Sequence, residues 1–514
     1  RPLRPPNPTT PLVHQPRRFS RHKQLLLIAR TARPQLPYLA QPAFRGTSGG
    51  LLGPNPQLAR LLSTETRQYV ASQVFLAAKW TAVIWTVAFL AGVAYLGIQA
   101  EVEERRAPTP EEWTWWSRWS LMGIRQAVRD GGASGVVDWA SVGGALRRLL
   151  RRLQDAGVDG QGLGPAIGGE AVEGSGEGSG EGSLAARIGK AGPDIGGKSW
   201  AWRATYHEVL MSLGRAAEQL DGMVLDTTRG IVFPRAVMIG PSNPDPRPVP
   251  AYMSSAPREE NCVEAFDSPD PYYMHVITAG GFTTRQRLQA VAAYANWLEY
   301  KGRTERVEEV FRWGLDIAKM GLDRNVKPEE VMDEKTFVLK PEAAGQVTEN
   351  LLTATTNMAI HRARNNDLAS ALPILLSVLR ARRSTPISPF PQPKPTESAP
   401  TPSSTLAKIF QPPHFPPSPP SGDLPLIRSS EKPTCEESEL MLYIGEILFA
   451  TSPTASDGGL NWTRQGVAIA EANLQDLNSK SSSSTPESAV KCTQCLHTGL
   501  ENWETMLRQL SSRT

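Results

Sequence analysis

Val-Ala-Ala-Tyr-Ala-Asn-Trp-Leu-Glu-Tyr-Lys-Gly-Arg-Thr-Glu-Arg-Val-Glu-Glu-Val-Phe-Arg-Trp-Gly-Leu, residues 291–315, reads as two amphipathic helices joined by a turn. Apolar or small side chains recur at Val291, Tyr294, Ala295 and Leu298, and again at Val307, Phe311 and Gly314. That three-and-four spacing lines one face of an α-helix. Gly302 makes the turn between the two runs, a place where glycine leaves the right-handed region at little steric cost. Small residues on the facing sides let two such helices cross closely.

The segment follows the tetratricopeptide pattern, in which a helix pair of about 34 residues is the repeating unit. Lys319 stands where that pattern ends in proline. A second copy runs from Glu349 to Arg383, with Met358 and Ala359 in the first helix, Asn366-Asp367 at the turn, and Ala371 and Leu375 in the second helix. The spacer between the copies is longer than a contiguous array allows. A third first helix is placed at Met441, Ile444, Gly445 and Leu448, followed after a Ser/Gly loop by Trp462 to Leu477; Tyr206 to Leu220 reads as an earlier, diverged unit. The residues expected to pack the repeats are Tyr294, Ala295, Leu298, Gly302, Val307, Phe311, Ala359, Ala371, Leu375 and Gly445. A helical bundle without repeats is the alternative.

Working outward toward the start, the 19 residues from Trp80 to Ile98 carry no charge, and the 64 before Glu65 hold nine arginines, one lysine and no acid. An uncharged run of that length spans roughly 28 Å, the thickness of a bilayer's hydrocarbon. The basic, acid-free leader fits a mitochondrial transit peptide, with Arg60-Leu61-Leu62-Ser63-Thr64 as the processing region. Arg67 and Lys79 precede the anchor and Glu101, Glu103 and Glu104 follow it, so the bulk of the chain is expected on the intermembrane-space side of the inner membrane. Ile231 to Ile239 and Leu440 to Ala450 are too short to span. A multi-span transporter is not supported.

Beyond the anchor, Thr109-Pro110-Glu111-Glu112 is a helix-start signature. Trp113, Trp116, Trp119 and Met122, with Trp115 beside them, form an indole belt suited either to lipid headgroups or to a packing face. Arg147, Arg148, Arg151 and Arg152 make a basic face on the amphipathic stretch Trp139 to Leu153, for acidic lipid or for solvent. The expected architecture is all-α: a transit peptide over 1–62, a transmembrane helix over 74–98, membrane-proximal amphipathic helices over 109–156 and a Gly/Ser/Glu linker over 157–197. A tetratricopeptide-like helical domain over 198–383, a Pro/Ser-rich disordered insertion over 384–434 and further such helices over 435–514 complete it. The net charge of +4 is carried by the leader, and nothing beyond the anchor suits nucleic acid.

Three motifs resemble chemistry. Gly192-Pro193-Asp194-Ile195-Gly196-Gly197-Lys198-Ser199 has phosphate-loop spacing, but follows low-complexity sequence instead of a buried strand, and Asp226 after Met223-Val224-Leu225 lacks a convincing strand of its own. It is read as part of a flexible linker. Cys492 and Cys495 form a lone C-x-x-C, read as buried cysteines on one helix face, with a disulfide or metal as the alternative; Cys262 and Cys435 are unpaired by spacing. Asn461-Trp462-Thr463 is a glycosylation sequon that matters only in the secretory pathway. No catalytic, cofactor-binding or metal-binding residue is assigned, and no cofactor is expected.

The leader ending at Arg60 to Glu65, the anchor through Gln99-Ala100-Glu101, the Pro110-to-Trp119 segment and the Gly302 repeat together resemble fungal mitochondrial inner-membrane proteins with one anchor and tetratricopeptide-like repeats. The chain is similar to the repeat-containing adaptor of the i-AAA protease and, more remotely, to an animal repeat protein of complex III assembly. Some such relatives carry a maltose-permease label, which a single span does not support. The resemblance implies a non-enzymatic adaptor in protein quality control. Its partners would be the inner-membrane AAA protease, client proteins or respiratory-complex subunits, and membrane lipid through one span. A respiratory-complex assembly factor is the alternative, and a nucleotide-binding enzyme the remote one.

Overall fold

The computed structural model describes residues 64–131, 135–164, 192–249, 255–387, 415–428, 431–451, 456–479 and 486–513. The transit peptide expected over 1–62 lies outside them. Among the described residues the chain is mostly helical, with 13 helices and one small sheet.

Helix α1 (Thr64–Arg106) extends well beyond the expected 74–98. It is apolar all round, and Phe75, Trp85 and Phe89 are each at least 70% exposed. Large apolar side chains bare to water on every face are costly, and lipid removes that cost. Residues Gln68–Arg106 are long and apolar enough to cross a membrane.

Past the apolar run, the helix's acidic end is occupied by packing. Glu104 is buried and accepts the Thr109 amide at 2.8 Å, the Thr109 hydroxyl at 2.7 Å and Arg118 at 3.0 Å, while Glu103 takes Arg129 at 2.8 Å. This corrects the expected helix start at Thr109. With its hydroxyl turned back to Glu104, Thr109 caps nothing forward, and α2 (Trp115–Asp130) begins only after Thr114.

The indole belt is split by the same turn. Trp113 is buried in the core, while Trp115 and Trp116 stay exposed. Leu121 and Ile124 of α2 belong to one core with Val142, Leu146, Leu149 and Leu153 of α3 (Trp139–Gln154). The basic face of α3 is likewise divided. Arg147 lies over the Phe266 ring at 3.6 Å and pairs with Asp267 at 2.7 Å, Arg152 donates to Ser117 at 3.0 Å, and only Arg148 and Arg151 remain exposed.

Helix α4 (Trp200–Leu220) covers the diverged unit but is followed by a sheet, not by a partner helix. Strands β1 (Met223–Asp226), β2 (Ile231–Pro234) and β3 (Cys262–Glu264) pair antiparallel in the order β2-β1-β3, with Val224 opposite Phe233 and Glu264. Asp226 therefore does sit on a strand, and the all-helical expectation for 198–383 is corrected here. Strands of three or four residues are too short to show a period in sequence. Helix α5 (Asp270–Thr278) then returns to α4.

The helix pairs follow. They are α6 (Thr284–Tyr300) with α7 (Thr304–Met320), α8 (Glu349–Arg364) with α9 (Leu368–Ser384), and α10 (Cys435–Thr451) with α11 (Ser456–Ser479). Each pair packs on the next, α7 on α8 and α9 on α10, and α12 (Pro486–Arg513) closes the series against α10 and α11. A capping box starts α6, with the Thr283 hydroxyl taking the Gln286 amide and Gln286 taking the Thr283 amide.

Both low-complexity assignments need trimming. Residues 165–191 and 388–414 lie outside the described set, but the flanks are packed. Asp159 and Ile195 are buried, and Ile195 receives no solvent at all. Residues 415–428 belong to the fold, with Thr348 and Pro425 bridged antiparallel and Ile387 and Arg428 bridged in parallel. Composition concealed these contacts because they join the flanks to distant segments, as Asp159 does by accepting the Thr114 amide at 2.6 Å.

Candidate groove across the helix pairs

The ten residues chosen for repeat packing fall where two helices meet or turn. Ala295, Leu298, Val307, Ala359, Ala371 and Leu375 are fully buried, and Tyr294 and Phe311 are 5% and 6% exposed. Gly302 is exposed in the turn at φ +70°. At Gly445 a Cβ would collide with the Thr463 hydroxyl and lie 2.9 Å from the Gly459 carbonyl, so α10 and α11 cross with no room for a side chain. Gly314 does the same for α6 and α7, where a Cβ would come within 2.9 Å of Val291.

Close crossing sends each second helix to one side and leaves the first helices α6, α8 and α10 facing a common groove. Its volume is about 540 Å³, and Leu288, Ala292, Asn350, Thr353, Asn357 and Lys491 are among its lining. The walls are mixed in character. Apolar Leu288 and Ala292 alternate with amides, and Lys491 is held at 3.2 Å from Glu439 and 3.8 Å from Glu436. Spanning the pairs, His361 of α8 meets Glu299 of α6 at 2.7 Å and Arg364 reaches the same carboxylate at 2.8 Å.

One end of the groove is crossed by the chain itself. The buried Asn350 donates its side-chain amide to the Ser421 carbonyl at 2.9 Å and to the Asp423 carboxylate at 2.7 Å, and its backbone amide to the Gly422 carbonyl at 3.3 Å. Thr284 donates to the other Asp423 oxygen at 3.0 Å. Gly422 has φ +76°, and a Cβ there would strike Asn350 at 2.7 Å. Asn350, Thr284 and Asp423 escaped the sequence reading. The one available signal was Ser421-Gly422-Asp423, a turn-forming triplet inside proline-rich sequence.

The cysteines require a correction. Cys435 of α10 and Cys492 of α12 form a disulfide, with Cα atoms 5.3 Å apart and a separation of 57 positions in sequence. Spacing alone left Cys435 unpaired because only the docking of α12 on α10 brings the two together. Cys495 is buried as expected, and burial pushes its thiol up to about 11. Cys262 stands half-buried on β3. Among the described residues no three His, Cys, Asp or Glu side chains gather as a metal site.

The phosphate-loop look-alike is packed, which corrects its assignment to a flexible linker. The Ile195 amide donates to Gly280 at 3.3 Å, the Gly196 amide to Asp194 at 2.8 Å and the Lys198 amide to Ile195 at 3.0 Å. Lys198 lies over the Trp202 ring at 5.1 Å, and Ser199 caps α4 by accepting the Trp202 amide. The amides of Ile195, Gly196 and Lys198, which a phosphate cradle would need, are thus bonded within the protein. Nearby, burial lowers both His207 and His275 to about 4 and raises Tyr206 to about 12. Gln154 donates to the Tyr206 hydroxyl at 3.1 Å, which leaves that O–H to face His275 at 3.3 Å.

Comparison of the chain with known family models, with curated proteins and with solved structures finds no match in any of the three.

Proposed function

We propose that the protein is an adaptor held at the mitochondrial inner membrane by α1, with tetratricopeptide-like helix pairs that present client proteins to an inner-membrane AAA protease. The observation that carries this reading is the groove of about 540 Å³ shared by the first helices of successive pairs. A surface built that way suits an extended or helical segment of another protein, because stacked units make a continuous concave face. The apolar α1 supplies the anchor. The Cys435–Cys492 bridge fits a compartment that permits thiol oxidation.

The test begins with mitochondria stripped of their outer membrane. Added protease should degrade the region after Glu101, while the undigested protein resists alkaline extraction. Full protection of that region would overturn the orientation. Affinity purification of the tagged full chain should then recover the inner-membrane AAA protease. Recovery of a respiratory complex instead would replace the adaptor with an assembly factor.

A further inference from the structure

We infer that the seat at one end of the groove, made by Thr284, Gly321, Val347 and Asn350, recognises an extended segment in which small residues precede a carboxylate, and that Ser421 to Leu426 of this chain are its resident, displaceable ligand. This rests on the groove reading above and states what the end of the groove binds. Three helix ends converge on Asp423. Thr284 opens α6, Gly321 follows α7, and Asn350 lies in the first turn of α8. Thr284 and Asn350 each hold one carboxylate oxygen, at 3.0 and 2.7 Å. Gly321 gives the carboxylate its room, since a Cβ there would lie 2.5 Å from Asp423. The start of α6 adds the positive end of a helix dipole, which favours an anion over a neutral group.

The same seat reads backbone. Asn350 uses both its side-chain and its main-chain amide on the carbonyls of Ser421 and Gly422, and Leu426 donates to the Val347 carbonyl at 2.9 Å. A seat that spends its donors on carbonyls and one carboxylate selects shape and charge, not large side chains. Leu424 and Ile427 remain 75% and 59% exposed, while Leu426 between them is half-buried against the core. A free copy of the segment has the same contacts to offer but lacks the effective concentration that the tether gives the resident one, so it competes best once a resident contact is cut. Farther along, Arg428 reaches the buried Glu437 at 2.9 Å and tethers the segment beside its seat when displaced.

The probe is a fluorescent peptide, Ser-Pro-Pro-Ser-Gly-Asp-Leu-Pro-Leu-Ile-Arg, copied from residues 418–428 and titrated into the full chain in detergent. Asp423→Ala in the chain weakens the resident segment, so the variant should bind the peptide at least ten-fold more tightly than the wild type. A peptide with alanine for its aspartate should lose at least ten-fold on that variant, and adding Asn350→Ala should abolish binding. Equal affinities for wild type and variant, or indifference to the peptide's carboxylate, would overturn the inference. If Asp423→Ala fails to fold, the wild type decides: excess peptide should speed hydrogen exchange at the Leu426 amide, and unchanged exchange overturns the inference. Peptide competition without recovery of the AAA protease would keep the groove and remove the adaptor role. Recovery of the protease indifferent to the peptide would do the reverse.

Discussion

The α6–α7 and α8–α9 pairs turn with the same hydrogen bonds on different residues. In the first, Gly302 donates to Glu299 at 2.9 Å and Arg303 to Leu298 at 3.0 Å; in the second, Asn366 donates to Ala363 at 3.1 Å and Asp367 to Arg362 at 2.9 Å. Both are Schellman closures, with Gly302 at φ +70° and Asn366 at φ +64°. The second pair carries a non-glycine in the left-handed region, yet Asp367 then caps α9 by accepting the Ser370 amide, whereas Arg303 caps α7 with no side-chain bond. One turn is cheap to form and poorly capped, the other costly and well capped. The position is therefore what the fold specifies, and residue identity only sets how the cost is distributed.

The largest effect should come from what the two pairs share. Phe311 is 6% exposed, and its ring lies 5.3 Å from His361 of the second pair. Phe311→Ala should cost about 3 to 5 kcal/mol, read as a lowered melting temperature of the full chain in detergent. Glu308→Ala on the same helix should change stability by less than about 1 kcal/mol, because its pairing with Arg312 is at the surface and its contact with Arg362 is long, at 3.8 Å. Equal melting temperatures for the two variants would sink this packing register.

Next comes the contrast with the C-terminal helices, where a small separate core of Leu442, Val467, Ala470 and Cys495 is supplemented by the Cys435–Cys492 bond. Cys492→Ser should cost about 2 to 4 kcal/mol, and hydrogen exchange should rise in α12 before it rises in α6 to α9. A reductant should reproduce the effect in the wild type and do nothing further to the variant. Two free thiols at these positions in the oxidised protein would remove the staple.

How much of this was legible follows from the same contrast. The pairs could be read because Val291, Tyr294, Leu298, Val307 and Phe311 repeat on one face. The bridge and the Asp423 seat could not, because each joins stretches distant in sequence, and the sheet could not, because its strands are too short to show a period. Cys435 and Cys492 are 57 residues apart, and Asn350 lies 73 residues from Asp423. Local periodicity reports the face a helix buries, not which other segment covers it.

A third test concerns α4 and α5, the helices separated by the sheet. Burial holds His207 and His275 near 4, below the usual value of 6.5. The unfolded chain therefore binds more protons as pH falls below about 6.5, and stability present above that value is lost on the way down toward about 4. Each histidine should contribute about 2 kcal/mol of loss by pH 5. Melting curves between pH 7 and pH 5 should show the decline, and His275→Gln should flatten it. A variant as acid-sensitive as the wild type would assign the loss elsewhere.

The smallest effects return to the two turns and test whether position or residue is specified. Gly302→Ala puts a Cβ in the left-handed region and should cost about 1 kcal/mol. No heavy atom lies within 4 Å of that Cβ, so the cost is conformational and not a clash. Gly302→Asn should cost less, since asparagine tolerates the region, as Asn366 already does. Asn366→Gly should be nearly neutral or gain a few tenths of a kcal/mol, with relief of the left-handed strain set against a more flexible unfolded chain. Denaturant melts resolve the ordering if all four chains share one slope. Should Gly302→Ala prove harmless while Asn366→Gly destabilises, the side chain of Asn366 matters beyond the turn, and the two pairs differ in kind.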